Sequence, residues 1–452
     1  MPNDEQSPGS ATKQAAGRDE SSARRTAVAC FRAGVEAALP GTVVGASVAV
    51  DGDVLRVDGA TYDLGAYDRL VVVGGGKAAD GAATALWSIL GDRIDDGAIV
   101  VDSIGANETD RIDRIVGGHP VPSADGVEGT AQALELARSA DEDTLVLALV
   151  SGGASALFAA PAEGVSVASL RETTDALLSA GADIGEINAV RKHLSRVKGG
   201  RLAAVAAPAT VVGLVFSDVV GDDLAVIGSG PTAPDDSTYG DALGVLDRYD
   251  LAVPPTVRQH LARGDRGEAP ETPTSGDPAF DRVDNHVLAT AATALDAAAA
   301  VAVDRGYVSL VLTSRLRGEA SEAGVTHAAI AEEIADAGRP VEPPAVVLSA
   351  GETTVTVDSD GVGELDAGRD CALLAADTDG RDGSTDVAGA VVTPMTVDDL
   401  AAARAALAAN DTLGWLRDRD RTLTTGATGT NVNDLRVLVI EGEDAAGPDP
   451  QE

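Results

Sequence analysis

The chain of 452 residues carries a formal net charge of −38, and 44% of its residues are hydrophobic. That is enough apolar material for two or three filled cores, and enough negative charge to repel nucleic acid and anionic lipid. Two cysteines, Cys30 and Cys371, exclude a disulfide framework or a four-ligand zinc site and fit a reducing compartment.

The polar start, MPNDEQSPGSATKQAAGRDESS, has no signal-like apolar core, and no run reaches the roughly 18 apolar residues of a membrane span. A cytoplasmic protein is expected, with tails at 1–24 and 442–452. Scarce lysine and an acidic surface suit concentrated salt, as in a halophile.

Short Val/Leu/Ile runs then recur, each followed by a glycine-rich or polar turn and often by a helical pattern. The series is RLVVV, TLVLALV, VVGLVF, HVLAT, VSLVL and AVVLS. Nearly continuous apolar strands alternating with helices predict an α/β fold with mostly parallel sheets covered on both faces. The Pro/Gly-rich stretch 263–283 reads as a linker between an N-terminal domain, 25–262, and a C-terminal domain, 284–441.

In such sheets ligands bind beyond the carboxyl ends of the strands, where the unusual residues fall. VVVGGGKAADG bares backbone amides at Gly74, Gly75 and Gly76 and adds Lys77, one of four lysines in the chain. It matches neither the P-loop nor the G-x-G-x-x-G fingerprint, because no glycine holds the last place. LVSGGASAL places Ser151, Gly152, Gly153 and Ser155 on a second strand-to-helix turn, a neutral anion cradle. His119, a lone histidine before a proline, reads as structural.

INAVRKHLSRVKGGRLA reverses the local sign of charge with Arg191, Lys192, Arg196, Lys198 and Arg201. On a helix closed by Gly199 and Gly200, Arg191, Ser195 and Lys198 would share a face, and anion binding is expected of them. Asp218 directly follows a strand and is a candidate for Mg²⁺ binding or proton acceptance, ahead of Asp222 and Asp223. The turn Gly228, Ser229, Gly230, Pro231 comes next. Further along, Glu352, the carboxylates Asp377, Asp379 and Asp382, and the turn with Thr428, Thr430, Asn431 and Asp434 suit nucleotide, phosphate or metal water shells.

Taken together, GGGKAADGA, GGHPVPSADGVEG, SGGASALFAAP, INAVRKHLSRVKGGRLA, FSDVVGDDLAVIGSGPT, TSRLRGEA, SAGETTVTV, DTDGRDGSTDVAGAVV and ATGTNVNDL resemble the glycerate 2-kinase family that ends in a MOFRL domain. The resemblance runs from about Arg25 to Ile440. It implies a Rossmann-like N-terminal domain and a smaller α/β MOFRL domain with a cleft between them, and transfer of the ATP γ-phosphoryl, with Mg²⁺, to the 2-hydroxyl of D-glycerate.

Lys77 then becomes the catalytic lysine and Asp218 its catalytic partner. Phosphate and glycerate fall to Gly74–Gly76, Ser151–Gly153, Ser155, Arg191, Lys198, Ser229, Gly230, Glu352, Thr428, Thr430 and Asn431, and metal to Asp218 with Asp379. Small-molecule substrates are the expected partners, and a homodimer is allowed for.

The chain departs from the family after Val357, where a G-G-x-N-Q-E helix is expected and DSDGVGELDAGRD stands instead. Weakened activity, or another segment filling the gap, is the expectation; Arg369 is given no catalytic role. An NAD(P)H-dependent hydroxypyruvate reductase and a non-catalytic paralogue that binds a small anion or nucleotide are the competing readings.

Overall fold

The structure, a computed structural model, describes residues 21–354, 370–383, 385–409 and 411–442. The departure after Val357, Arg369 included, lies outside the described residues, as do most of the two tails. The chain folds as two compact units. One comprises 35–294 and 427–433; the other comprises 1–34, 295–426 and 434–452.

The first unit is built on six parallel strands: β1 (Arg69–Gly75), β2 (Asp96–Val101), β3 (Asp113–Val116), β4 (Thr144–Ser151), β5 (Thr210–Phe216) and β6 (Val283–Ala289). Their order across the sheet is β3-β2-β1-β4-β5-β6. This is the doubly wound order in which the chain reverses direction between β1 and β4.

Alternate side chains explain why these strands read as unbroken apolar runs. Leu70, Val72, Leu145, Leu147 and Leu149 enter one core with the helix Ala79–Leu90. Val71, Val73, Val146, Ala148 and Val150 enter another with the helices Ala124–Arg138 and Arg201–Ala206. A period of two with both faces covered leaves no polar position to alternate with.

A small antiparallel sheet, Val48–Asp51, Val54–Val57 and Ala60–Asp63, adds Leu55 and Val57 to the first of these cores. A third cluster is purely helical. It joins Val167–Ser179, Ile184–His193, Tyr239–Arg248 and Pro255–Asp265 through Leu170, Leu177, Ile187, Val190, Leu246, Val257 and Leu261.

Two expectations about the chain's division are corrected. Residues 263–283 are no linker: Thr272 is buried and donates to the Ser237 carbonyl (3.3 Å), and Glu271 accepts hydrogen bonds from the Tyr239 amide (3.1 Å) and pairs with His193 (3.1 Å). The next strand, β6, pairs with β5 inside the first sheet. The first unit therefore runs past residue 284, and it also takes in 427–433, where Val432 is fully buried in its core.

The second unit has a six-stranded mixed sheet of β7 (Val308–Leu316), β8 (Ala345–Gly351), β9 (Cys371–Asp377), β10 (Gly389–Val392), β11 (Thr422–Leu423) and β12 (Asp434–Ile440). The order is β7-β8-β12-β9-β10-β11; β7 and β8 run parallel and every other pair is antiparallel. The helix Ala320–Ala337 packs Ala331, Ile334 and Ala335 against Val347, Leu438 and Ile440. No single described helix is long and apolar enough to cross a membrane. Both cysteines are buried and unpaired with each other, and burial pushes the Cys30 thiol up to about 11.

Candidate functional site

The reversal point of the first sheet brings the two glycine turns together. Gly74 and Gly76 have φ of 135° and 131°, and a Cβ on Gly76 would run into the Ser151 hydroxyl and the Ser151 carbonyl. Glycine is required because the β1 turn lies directly on the β4 turn. Two hydrogen bonds lace them, from the Lys77 amide to the Gly152 carbonyl (2.8 Å) and from the Ala78 amide to Ser151 Oγ (3.0 Å), while the Gly76 amide ties the β1 turn to the Val100 carbonyl of β2 (3.0 Å). Ser151 is 2% exposed, so its hydroxyl fixes the two turns to each other.

Lys77, half-buried, and His119, exposed, both border Gly153. The point where a Cβ on Gly153 would stand lies 3.1 Å from His119 Cδ2 and 3.2 Å from Lys77 Cγ. On the other side, a Cβ on Gly152 would stand 2.7 Å from Asp218 Cγ. Three separate strand ends, those of β1, β4 and β5, thus deliver Lys77, the Gly152–Gly153 turn and Asp218 to one place.

Asp80 supports this arrangement from behind. It pairs with Arg114 at 3.0 Å and accepts the Gly105 amide at 3.0 Å. Asp223 is spent as a local cap for the Ala225 amide.

The basic segment departs from expectation. The helix Ile184–His193 is opened by an Asp183/Glu186 capping box and ends at His193, so Arg191, Ser195 and Lys198 do not share one helix face. Gly199 and Gly200, with φ of 57° and 76°, open the next helix rather than close this one.

Ser195 Oγ accepts the amides of Val197 (3.1 Å) and Lys198 (3.2 Å). Lys192 pairs with Asp235 at 3.0 Å, both buried; burial works against the Asp235 carboxylate, but Lys192 and Ser237 hold it below the usual range.

Lys198, 1% exposed, donates to the carbonyls of Ala154 (3.2 Å), Phe158 (3.2 Å) and Gly228 (3.3 Å). Burial, with Arg191 nearby, depresses its pKa well below the ordinary lysine value. Its ammonium is a clamp between the β4 turn and the 228–230 turn, in place of the anion contact expected of it.

That clamp sets two serines face to face. Ser229, fully buried and in the left-handed region at φ 64°, lies 3.0 Å from Ser155 Oγ and donates to Asn188 Oδ1 at 3.1 Å. Arg191 Nη1 donates to the same Asn188 oxygen at 2.9 Å, and burial lowers the Arg191 guanidinium to about 10. Asn188 Nδ2 is buried with no hydrogen-bond partner. The Ser229 and Gly230 carbonyls accept the amides of Gly199 (3.0 Å) and Gly200 (2.7 Å).

From the end of the chain, Thr430 is fully buried and donates to the Ala38 carbonyl (2.6 Å), Asn431 Oδ1 accepts the Asn433 amide (3.1 Å), and Thr428 donates to the Thr430 carbonyl (3.4 Å). Thr428 and Asn431 shape their own turn, and Thr430 ties that turn to Ala38.

Within the second unit, carboxylates gather where Gly351, Asp434 and Asp377 stand in cross-strand register. Arg436 binds Asp434 (3.1 Å), the Thr353 hydroxyl (2.7 Å) and the Gly351 carbonyl (3.3 Å). Burial pushes the Asp434 carboxyl up to about 6; Arg436 opposes this, and Asp382 and Glu352 add to it. Burial raises Asp382 too. Asp379 accepts the Arg381 amide at 2.8 Å in a local turn. Among the described residues no three His, Cys, Asp or Glu side chains are grouped to hold a metal ion.

The structure adds two neighbours to these turns that the sequence does not single out, His119 beside Gly153 and Asn188 between Arg191 and Ser229; a lone histidine before a proline and an uncharged asparagine one turn before Arg191 carry little signal.

Residues 26–262 match a domain of unknown function, DUF4147, and 345–434 match the MOFRL family. The chain is 39% identical over 428 residues to a glycerate 2-kinase of Pyrococcus horikoshii, covering 90% of this chain and 94% of that one. It is 39% identical over 391 residues to a D-glycerate 2-kinase of Thermotoga maritima, covering 82% and 91%. A protein of Agrobacterium vitis with the provisional name hydroxypyruvate reductase is 40% identical, covering 82% and 99%.

A crystal structure of a glycerate kinase from Thermotoga maritima superposes with a TM-score of 0.78 at 36% identity, covering 92% of this chain and 99% of that one. With both domain types matched and such identity along most of its length, the chain belongs to the glycerate 2-kinase family of DUF4147 and MOFRL proteins.

Proposed function

We propose that the protein is an ATP-dependent glycerate 2-kinase, working in a salt-rich cytoplasm and converting D-glycerate to 2-phosphoglycerate. The observation that carries this is the meeting of Lys77 and Asp218 on either side of the bared Gly152–Gly153 turn, at the carboxyl ends of β1, β4 and β5. Phosphoryl transfer is chiefly positioning and neutralisation of charge on the transferring oxygens. In this reading the Gly152–Gly153 turn cradles phosphate, the β1 glycines let that turn pack closely with the Gly76 amide held by the Val100 carbonyl in place of the anion contact expected of it, and Lys77 places an ammonium against the moving group.

Asp218 is a single carboxylate beside a phosphate cradle, which fits Mg²⁺, an ion that keeps several waters and shares its ligands with substrate phosphates. When bound there, Mg²⁺ would supply charge neutralisation on the phosphate oxygens. Alternatively Asp218 accepts the hydroxyl proton, and the metal dependence of an Asp218→Asn variant separates the two roles. His119, beside Lys77, borders the same space and is a further candidate for contact with an anionic substrate.

The reductase reading lacks one element at the β1 turn, since counting from Gly74 the last glycine of a dinucleotide fingerprint falls on Ala79. One assay decides: ADP release with D-glycerate, ATP and Mg²⁺ in concentrated KCl, with the phosphoglycerate isomer identified by NMR, against NAD(P)H oxidation with hydroxypyruvate. Nucleotide oxidation without ADP release would overturn the kinase assignment. Ligand-induced thermal stabilisation without either product would mark a non-catalytic binder.

A further inference from the structure

The hydrogen bonds around Ser155 have only one consistent direction. Arg191 is a donor with no acceptor capacity, so the Asn188 atom facing it at 2.9 Å is the amide oxygen, and the amide cannot be flipped without setting NH₂ against guanidinium. The same oxygen faces Ser229 Oγ at 3.1 Å, so Ser229 spends its one proton on Asn188. In the 3.0 Å contact between Ser229 and Ser155, Ser229 is therefore the acceptor and Ser155 the donor.

Ser155 is half-buried, and Ser229 is its hydrogen-bond partner. With its proton turned inward, Ser155 offers lone pairs to whatever meets its outer side. A carboxylate or an ionised phosphate oxygen has no proton to give them.

We propose that Ser155 Oγ is an acceptor that reads a hydroxyl group of the substrate, in contrast to the phosphate or carboxylate contact that its sequence setting suggests. Arg191 and Asn188 act as positioning residues that fix this polarity through Ser229. Lys198 holds the two serine turns together through the Ala154, Phe158 and Gly228 carbonyls. The inference rests on the glycerate reading for the identity of the hydroxyl donor, and on hydrogen-bond direction for its sign.

The test is inhibition and turnover by the full-length protein with D-glycerate and ATP in concentrated KCl. D-Lactate, which lacks the 3-hydroxyl, and 3-hydroxypropionate, which lacks the 2-hydroxyl, serve as analogues. The wild type is expected to bind one of the two about tenfold more weakly than glycerate, the size of one neutral hydrogen bond. Ser155→Ala is expected to weaken glycerate by a similar factor, leave that analogue unchanged and leave KM for ATP unchanged.

Ser229→Ala releases the Ser155 proton, and is expected to reduce the discrimination between glycerate and the analogue while strengthening inhibition by inorganic phosphate. Equal weakening of glycerate and both analogues in Ser155→Ala, or a change confined to ATP, overturns the inference. If the wild type turns over no glycerate, the kinase reading fails separately. Calorimetric titration with glycerol and with phosphate then decides: glycerol binding lost in Ser155→Ala supports the acceptor role, and phosphate binding lost there, or no glycerol binding at all, overturns it.

Discussion

Lys77 and Lys198 show how two residues of one type, both singled out by their rarity, come to opposite uses. Lys77 stands half-buried against a bare glycine, whereas Lys198 is enclosed by three carbonyls. Lys77→Ala is expected to lower kcat by about 10²–10³, the scale for removing one preorganised donor, with Tm unchanged; kinetics and a melting curve on the same sample check both parts. Lys198→Met leaves three buried carbonyls without a donor and is expected to cost about 2 kcal/mol or more, read from denaturant unfolding.

The placing of Lys77 and Asp218 at one turn was legible because each follows an apolar strand. The Lys198 clamp was not legible, because it depends on the helix stopping at His193, and a basic run with helical spacing gives no sign of that stop. His119 and Ser155 gain their meaning from neighbours 34 or more positions away in the chain.

At the scale of elements, β1, β4, β5, β6, β7 and β8 were all visible as apolar runs, and their parallel pairing in the first sheet followed from that continuity. The antiparallel half of the second sheet was not foreseen, since β9 to β12 lack the turn-and-helix rhythm that marks parallel units.

Its carboxylate cluster yields a prediction with a definite sign. The Asp434 carboxyl titrates at about 6 in the folded unit, above its ordinary value of 3.8, so the folded state binds more protons than the unfolded state between those two pH values. The contribution of Asp434 to stability is therefore fully present below the unfolded value and is lost as pH rises through about 6. Asp434→Asn is expected to melt higher than wild type at pH 8, with the difference disappearing below about pH 4; an equal difference at both pH values would contradict this.

Across the whole molecule, a net charge of −38 makes self-repulsion a standing cost. Raising KCl toward 1 M shortens the Debye length to about 3 Å, and Tm is expected to climb with it, more than in NaCl-free buffer of matched sucrose. A flat response would remove the halophilic reading.

Composition alone pointed this way, but it could not reveal that the units are discontinuous. Thr430 reaches back to Ala38 across 392 positions, and a pairing so distant leaves no local trace in sequence.

That return has a consequence for how the protein is made. The first sheet is translated by residue 289, yet its core lacks Val432 until that distant residue has been made. The nascent N-terminal portion must wait, incompletely sealed, for its last plug, so premature termination near codon 426 should leave a protease-sensitive product despite an intact set of first-sheet strands.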